Sequence, residues 1–99
     1  MAQERIRVLV HGRVQGVGFR AWTRQAAEMR RLTGWCRNRS SGAVEVLAAG
    51  ASEDLRRFLA DLEEGPSLAA VDRVERIDIG EDGGEDFAVL ENFEIRPTA

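Results

Sequence analysis

Apolar and polar positions alternate near the start of the chain, where Ile6, Val8 and Val10 are separated by Arg7 and Leu9. That period of two predicts a first strand over residues 5–11. The period then lengthens. Phe19, Trp22, Ala26 and Met29 recur at helical spacing, predicting a helix over residues 19–31 with Arg24, Glu28 and Arg31 facing water. Two short strands, Trp35–Asn38 and Ala43–Ala49, flank Arg39-Ser40-Ser41-Gly42, the composition of a hairpin turn. Ser52 reads as an N-cap with Glu53 and Asp54 in the first turn behind it. Leu55, Phe58, Leu59 and Leu62 then form the buried stripe of a second helix that Gly65-Pro66 ends. A fourth strand is expected near Val74–Ile79, an acidic glycine-rich loop over Gly80–Asp86, and a last strand over Phe93–Arg96.

The order β-α-β-β-α-β is the split βαβ arrangement, with no repeat, linker or low-complexity segment to divide it. The expected fold is therefore α+β and ferredoxin-like, a single domain spanning residues 1–99 with two helices packed on one face of a mainly antiparallel sheet. This fold hosts enzymes, metal-binding modules, regulatory domains and RNA-binding domains, so function has to be argued from a site.

The segment between the first strand and the first helix offers one. Gly12, Gly16 and Gly18 fall within Gly12-Arg13-Val14-Gln15-Gly16-Val17-Gly18-Phe19-Arg20. Glycine reaches positive φ angles that a Cβ resists, so successive amide N–H groups can turn inward on one oxyanion. Arg20 stands where the helix begins, and free amides and the helix dipole already favour negative charge there. A planar guanidinium adds a two-pronged grip. Val14, Gln15, Gly16, Val17, Gly18, Phe19 and Arg20 thus read as a phosphate cradle. Asn38 ends the next strand, and a carboxamide there can accept from and donate to one water, fixing it for attack without changing protonation.

These motifs resemble the acylphosphatase family. Gly12, Val14, Gly16, Val17 and Arg20 match its Gly-x-Val-x-Gly-Val-x-x-Arg signature. Gly34-Trp35-Cys36-Arg37-Asn38, then Gly42-Ala43-Val44 and Gly50, match its second. The resemblance covers about half of the chain, and Gly65-Pro66 and Phe93-Glu94-Ile95 are also similar to the family pattern. It implies hydrolysis of the carboxyl-phosphate anhydride of a small acyl phosphate to a carboxylate and inorganic phosphate, with no cofactor, no metal and no covalent intermediate. Arg20 would grip the phosphoryl oxygens and Asn38 would hold the nucleophilic water. Such sparse machinery suits a good leaving group and a loose transition state. Two positions depart from the pattern. Arg31 stands where the turn after the first helix is often Gly, and Ser40-Ser41 replaces a Pro-Asp or similar pair.

Composition narrows the remaining choices. Ninety-nine residues, 43% hydrophobic and 31% charged, are those of one soluble globular domain, with monomer as the default. No apolar run is long enough for a membrane span or a signal peptide, and one cysteine, Cys36, excludes an internal disulfide. The cytoplasm is the expected location. Cys36 reads as a buried strand residue. One Cys and the sole histidine, His11, give no metal cluster, and Glu81-Asp82-Gly83-Gly84-Glu85-Asp86 lacks calcium-loop spacing. His11 is read as structural, and Trp22 and Trp35 as packing residues.

Charge is uneven: residues 1–40 hold nine Arg against Glu4 and Glu28, while residues 41–99 hold five Arg against fifteen acids. The first half is the anion-binding half. The chief alternative is a non-catalytic ferredoxin-like module binding an anion or RNA. Against RNA, the strand Ala43-Val44-Glu45-Val46-Leu47 lacks aromatics and the net charge is −3. Gly16-Val17-Gly18-Phe19-Arg20-Ala21 also fits a dinucleotide fingerprint, but a chain of this length lacks the doubled set of parallel strands that such a fold needs. An accessory domain like that of hydrogenase-maturation carbamoyltransferases is a further alternative. The length of one small domain favours the independent enzyme.

Overall fold

The computed structural model describes residues 3–79 and 91–99. The elements run β1 (Gln3–Arg13), α1 (Phe19–Met29), β2 (Thr33–Asn38), β3 (Val44–Ala51), α2 (Ser52–Glu64), β4 (Ala70–Arg76) and β5 (Phe93–Ile95). They build one five-stranded sheet in the order β4-β1-β3-β2-β5. β1 pairs antiparallel with β3 and β4, β2 pairs antiparallel with β3, and β2 pairs in parallel with β5. The expected acidic loop at Gly80–Asp86 lies outside the described residues.

Period-two alternation divides the sheet into two faces. Ile6, Val8, Val10, Cys36, Val46 and Ala48 turn to one side, where they form a single core with Phe19 and Ala27 of α1 and Leu55, Phe58 and Leu62 of α2. Both helices therefore cover the same face. On the other face Trp35, Glu45 and Leu47 are also buried, covered by long side chains rather than by a helix.

The structure corrects three expectations. The buried stripe of α1 is Phe19, Thr23 and Ala27, while Trp22 and Ala26 are only half-buried and Met29 is 81% exposed. The stripe is rotated because small side chains at Thr23 and Ala27 let the helix lie close to the sheet, and the large Trp22 fits better at the rim against Phe19, 5.4 Å away. Ser52 is not the N-cap of α2; Ala51 holds that position, and the Ser52 hydroxyl donates to Glu4 at 2.9 Å. Finally, β4 begins at Ala70 rather than Val74. The pairing with β1 shifts between His11 and Gly12, leaving Asp72 as an extra residue, so Val71 and Val74 both pack against the core although they stand three apart.

Candidate active site

Gly18 precedes α1 with φ 76° and ψ 17°, and Gly16 has φ 77°. A Cβ at either position would meet no atom within 4 Å. These glycines are therefore required by backbone conformation rather than by crowding, and the loop leaves its amides open to approach. The first turn of α1 carries no acidic residue and no side-chain cap, so the positive end of the helix is uncompensated by its own sequence.

A cavity of about 210 Å³ sits at this junction. The loop contributes Val14, Gly16 and Gly18; the helix contributes Phe19, Arg20 and Ala21; and Ile95 of β5 closes the side. The Arg20 side chain, half-buried, has no hydrogen bond or ion pair with any described residue. A larger hollow of about 310 Å³ lies between the helices, but its charges, Arg30 and Asp61, are committed to each other through contacts of 2.6 and 3.1 Å. A cation left without a partner at a helix N-terminus is the better anion site.

Two contacts bring the rest of the candidate site to this loop. The Gln15 side chain donates to the carbonyl oxygens of Arg39, at 2.8 Å, and Ala43, at 2.9 Å. Those carbonyls belong to the hairpin that follows Asn38, so the loop is fastened to the end of β2. The Cys36 thiol donates to the Arg20 carbonyl at 3.7 Å, which seats the start of α1 on the same strand. Asn38 faces the same side as Cys36, about 7 Å further along β2. Its Oδ1 is buried and accepts no hydrogen bond among the described residues. Asn38 does not line the cavity of about 210 Å³ itself. Of the cradle residues expected from sequence, Gln15 and Val17 direct their side chains elsewhere, Gln15 to the hairpin and Val17 against the core.

Sequence reasoning passed over Glu45. Its carboxylate is wholly buried on the open face of the sheet and receives Arg37 at 2.7 Å, Arg7 at 2.7 Å and Arg39 at 3.0 Å. Burial pushes its pKa up, but the hydrogen bonds from Arg37, Arg7 and Arg39 outweigh that and hold it below the ordinary carboxylate value. Arg37 and Arg39 flank Asn38 in sequence, so this clamp fixes the strand end from behind while the Asn38 side chain points to the helix side. A lone acid in an otherwise apolar strand, between strands that carry Arg7 and Arg37, is the available signal. Trp35 is braced on the same face by the guanidiniums of Arg37 and Arg96, 4.6 and 5.0 Å from its ring centre. His11 pairs with Glu75 at 2.8 Å, remote from α1 on the β4 side.

Comparison with known proteins identifies the family. The acylphosphatase family model matches residues 6–95. An acylphosphatase from Cupriavidus necator is 47% identical over 98 residues, covering 99% of both chains. The crystal structure of acylphosphatase from Bacillus subtilis superposes with a TM-score of 0.81 at 32% identity, over 96% of this chain and 99% of that one. An acylphosphatase structure from Coxiella burnetii gives 0.79 at 38% identity, over 95% and 93%. With a glycine loop opening onto an arginine that has no side-chain partner among the described residues, an asparagine strand end fastened beside it, and matches along nearly its whole length, this chain belongs to the acylphosphatase family.

Proposed function

We propose that Arg20 and the loop Val14–Phe19 bind the phosphoryl group of an acyl phosphate and that Asn38 positions the water that attacks it. The observation that carries this reading is Arg20: a guanidinium without a partner among the described residues, in the first turn of a helix whose preceding loop holds two left-handed glycines. Phosphoryl transfer spreads negative charge over the equatorial oxygens while bonding to both entering and leaving oxygens is weak, so positioning and charge stabilisation supply most of the catalysis. Backbone amides and a forked cation provide the charge. The buried Asn38 Oδ1 provides an acceptor for a water proton, aligning the oxygen lone pair on phosphorus opposite the carboxylate leaving group. The carboxylate leaves as a weak base and asks for no strong general acid.

In this reading the domain works as a monomer in the cytoplasm, without metal or nucleic acid. Its described surface exposes only three large hydrophobic side chains, Met29, Leu68 and Ile95, too few for an extensive apolar interface. No helix among the described residues is long and apolar enough to cross a membrane. The decisive experiment assays purified protein on acetyl phosphate and benzoyl phosphate beside a phosphomonoester, with and without EDTA. Hydrolysis of the acyl phosphates alone, undiminished by chelator, is expected. Loss in EDTA restored by a divalent ion would overturn the metal-free mechanism, and tight binding of single-stranded RNA without hydrolysis would overturn the enzyme reading. Light scattering on the eluting protein checks the monomer.

A further inference from the structure

The cavity beside Arg20 is chemically mixed. Its described lining combines Arg20, Gly16 and Gly18 with the hydrocarbon of Val14, Phe19, Ala21 and Ile95. Among the described residues Arg20 is its only charged lining residue. Ile95 is one of three large hydrophobic side chains exposed among the described residues, at 36%, and the only one of them that faces this cavity. Its position is fixed twice over: it pairs in parallel register with Cys36, and the Cys36 thiol is bonded to the Arg20 carbonyl. An apolar side chain held open to solvent at this place gains free energy only when something apolar covers it.

We propose that Ile95, which shares the cavity lining with Ala21, is the specificity-determining wall for the acyl group, selecting uncharged, apolar acyl chains over acyl chains that carry a second anion. This rests on the reading that the cradle holds the phosphoryl group. With the phosphoryl group at the Arg20 end, the carbonyl carbon and its substituent extend from it along the apolar lining. A hydrocarbon substituent buries against Ile95. A carboxylate or second phosphate there would lose water and meet no second cation among the described residues that line the cavity.

The test compares benzoyl phosphate, acetyl phosphate and para-carboxybenzoyl phosphate as substrates of the parent, Ile95→Ala and Ile95→Leu. The parent is expected to prefer benzoyl over para-carboxybenzoyl phosphate. In Ile95→Ala the ratio of kcat/KM for benzoyl over acetyl phosphate should fall about tenfold, with the inhibition constant of inorganic phosphate unmoved, and Ile95→Leu should restore most of the ratio. Because both substrates are measured on one preparation, a misfolded fraction cancels from the ratio. An unchanged ratio, or a parent preference for the para-carboxy substrate, overturns the role of Ile95 while leaving the phosphate cradle standing. Failure of the parent to hydrolyse any of the three would instead bring down the cradle reading, and this inference with it.

Discussion

Gln15 donates to the Arg39 carbonyl across 24 positions of sequence, at 2.8 Å, and so ties the glycine loop to the residue that immediately follows Asn38. The same nitrogen reaches the Ala43 carbonyl at 2.9 Å, on the other side of the hairpin turn. One carboxamide thus sets the spacing between the two halves of the site. Gln15→Ala should cost about 1 to 2 kcal/mol of stability, because two carbonyls lose a donor, and should lower kcat by about tenfold as the loop and strand end drift apart. Chemical denaturation and steady-state kinetics together check this. Parental kcat in a folded Gln15→Ala protein would show that the tether is dispensable.

Arg20 and Asn38 should be separable by kinetic signature. Arg20→Lys keeps the charge but loses the planar fork, so kcat/KM should fall by about 2 to 4 kcal/mol and inorganic phosphate should become a poor competitive inhibitor. Asn38→Ala should lower kcat by about two orders of magnitude while phosphate inhibition and melting temperature stay parental. A joint collapse of kcat, phosphate affinity and melting in Asn38→Ala would make Asn38 a structural residue.

The Glu45 clamp gives the fold an acid limit. Its folded pKa lies below that of an unfolded carboxyl, about 4.3, so its contribution is fully present above that value and is lost as pH falls through the depressed folded pKa. Glu45→Gln leaves Arg7, Arg37 and Arg39 without their shared counter-charge. A loss of about 2 kcal/mol at neutral pH is expected, moderated because the arginines are partly solvated. The stability gap between parent and variant should narrow below about pH 4. A gap independent of pH would mean that shape, not charge, explains the loss.

Arg31 is strained in a way that a single substitution relieves. Its φ is 58°, the only positive value among described non-glycine residues, and it occupies the turn in which Leu32 N–H bonds to Ala27 and Arg31 N–H to Glu28. That is the Schellman closure, whose left-handed position favours glycine. Arg31→Gly should raise stability by about 0.5 to 1 kcal/mol even after the added flexibility of the unfolded chain is counted, visible as a melting temperature a few degrees higher. A lower melting temperature would show that the arginine side chain contributes more than its backbone costs.

What the sequence made legible was local. The glycine loop, Arg20 and the asparagine at the strand end each depend on backbone conformation and chain neighbours, and all were placed where the structure has them. The face of α1 was misjudged because Thr23 carries a hydroxyl and reads as polar, although it is fully buried with its Oγ1 unpaired among the described residues. The start of β4 was hidden because a bulge breaks the period of two on which strand recognition rests. Glu45 and Gln15 stayed invisible for another reason. Their partners lie 6 to 38 positions away, and pairing at that range is decided by sheet register, which no local pattern encodes.

The sulfur at position 36 makes the floor of this site self-reporting. Burial raises the thiol to about 12, against the lesser pull of Arg20 and Arg24, so in the folded protein the buried sulfur stays in its unreactive thiol form at pH 8. Any alkylating or disulfide reagent therefore scores, almost exclusively, the molecules in which α1 has lifted from β2. The sole cysteine is in effect a clock for opening of the end that carries Arg20 and Asn38, and it runs without a label, a ligand or a turnover assay.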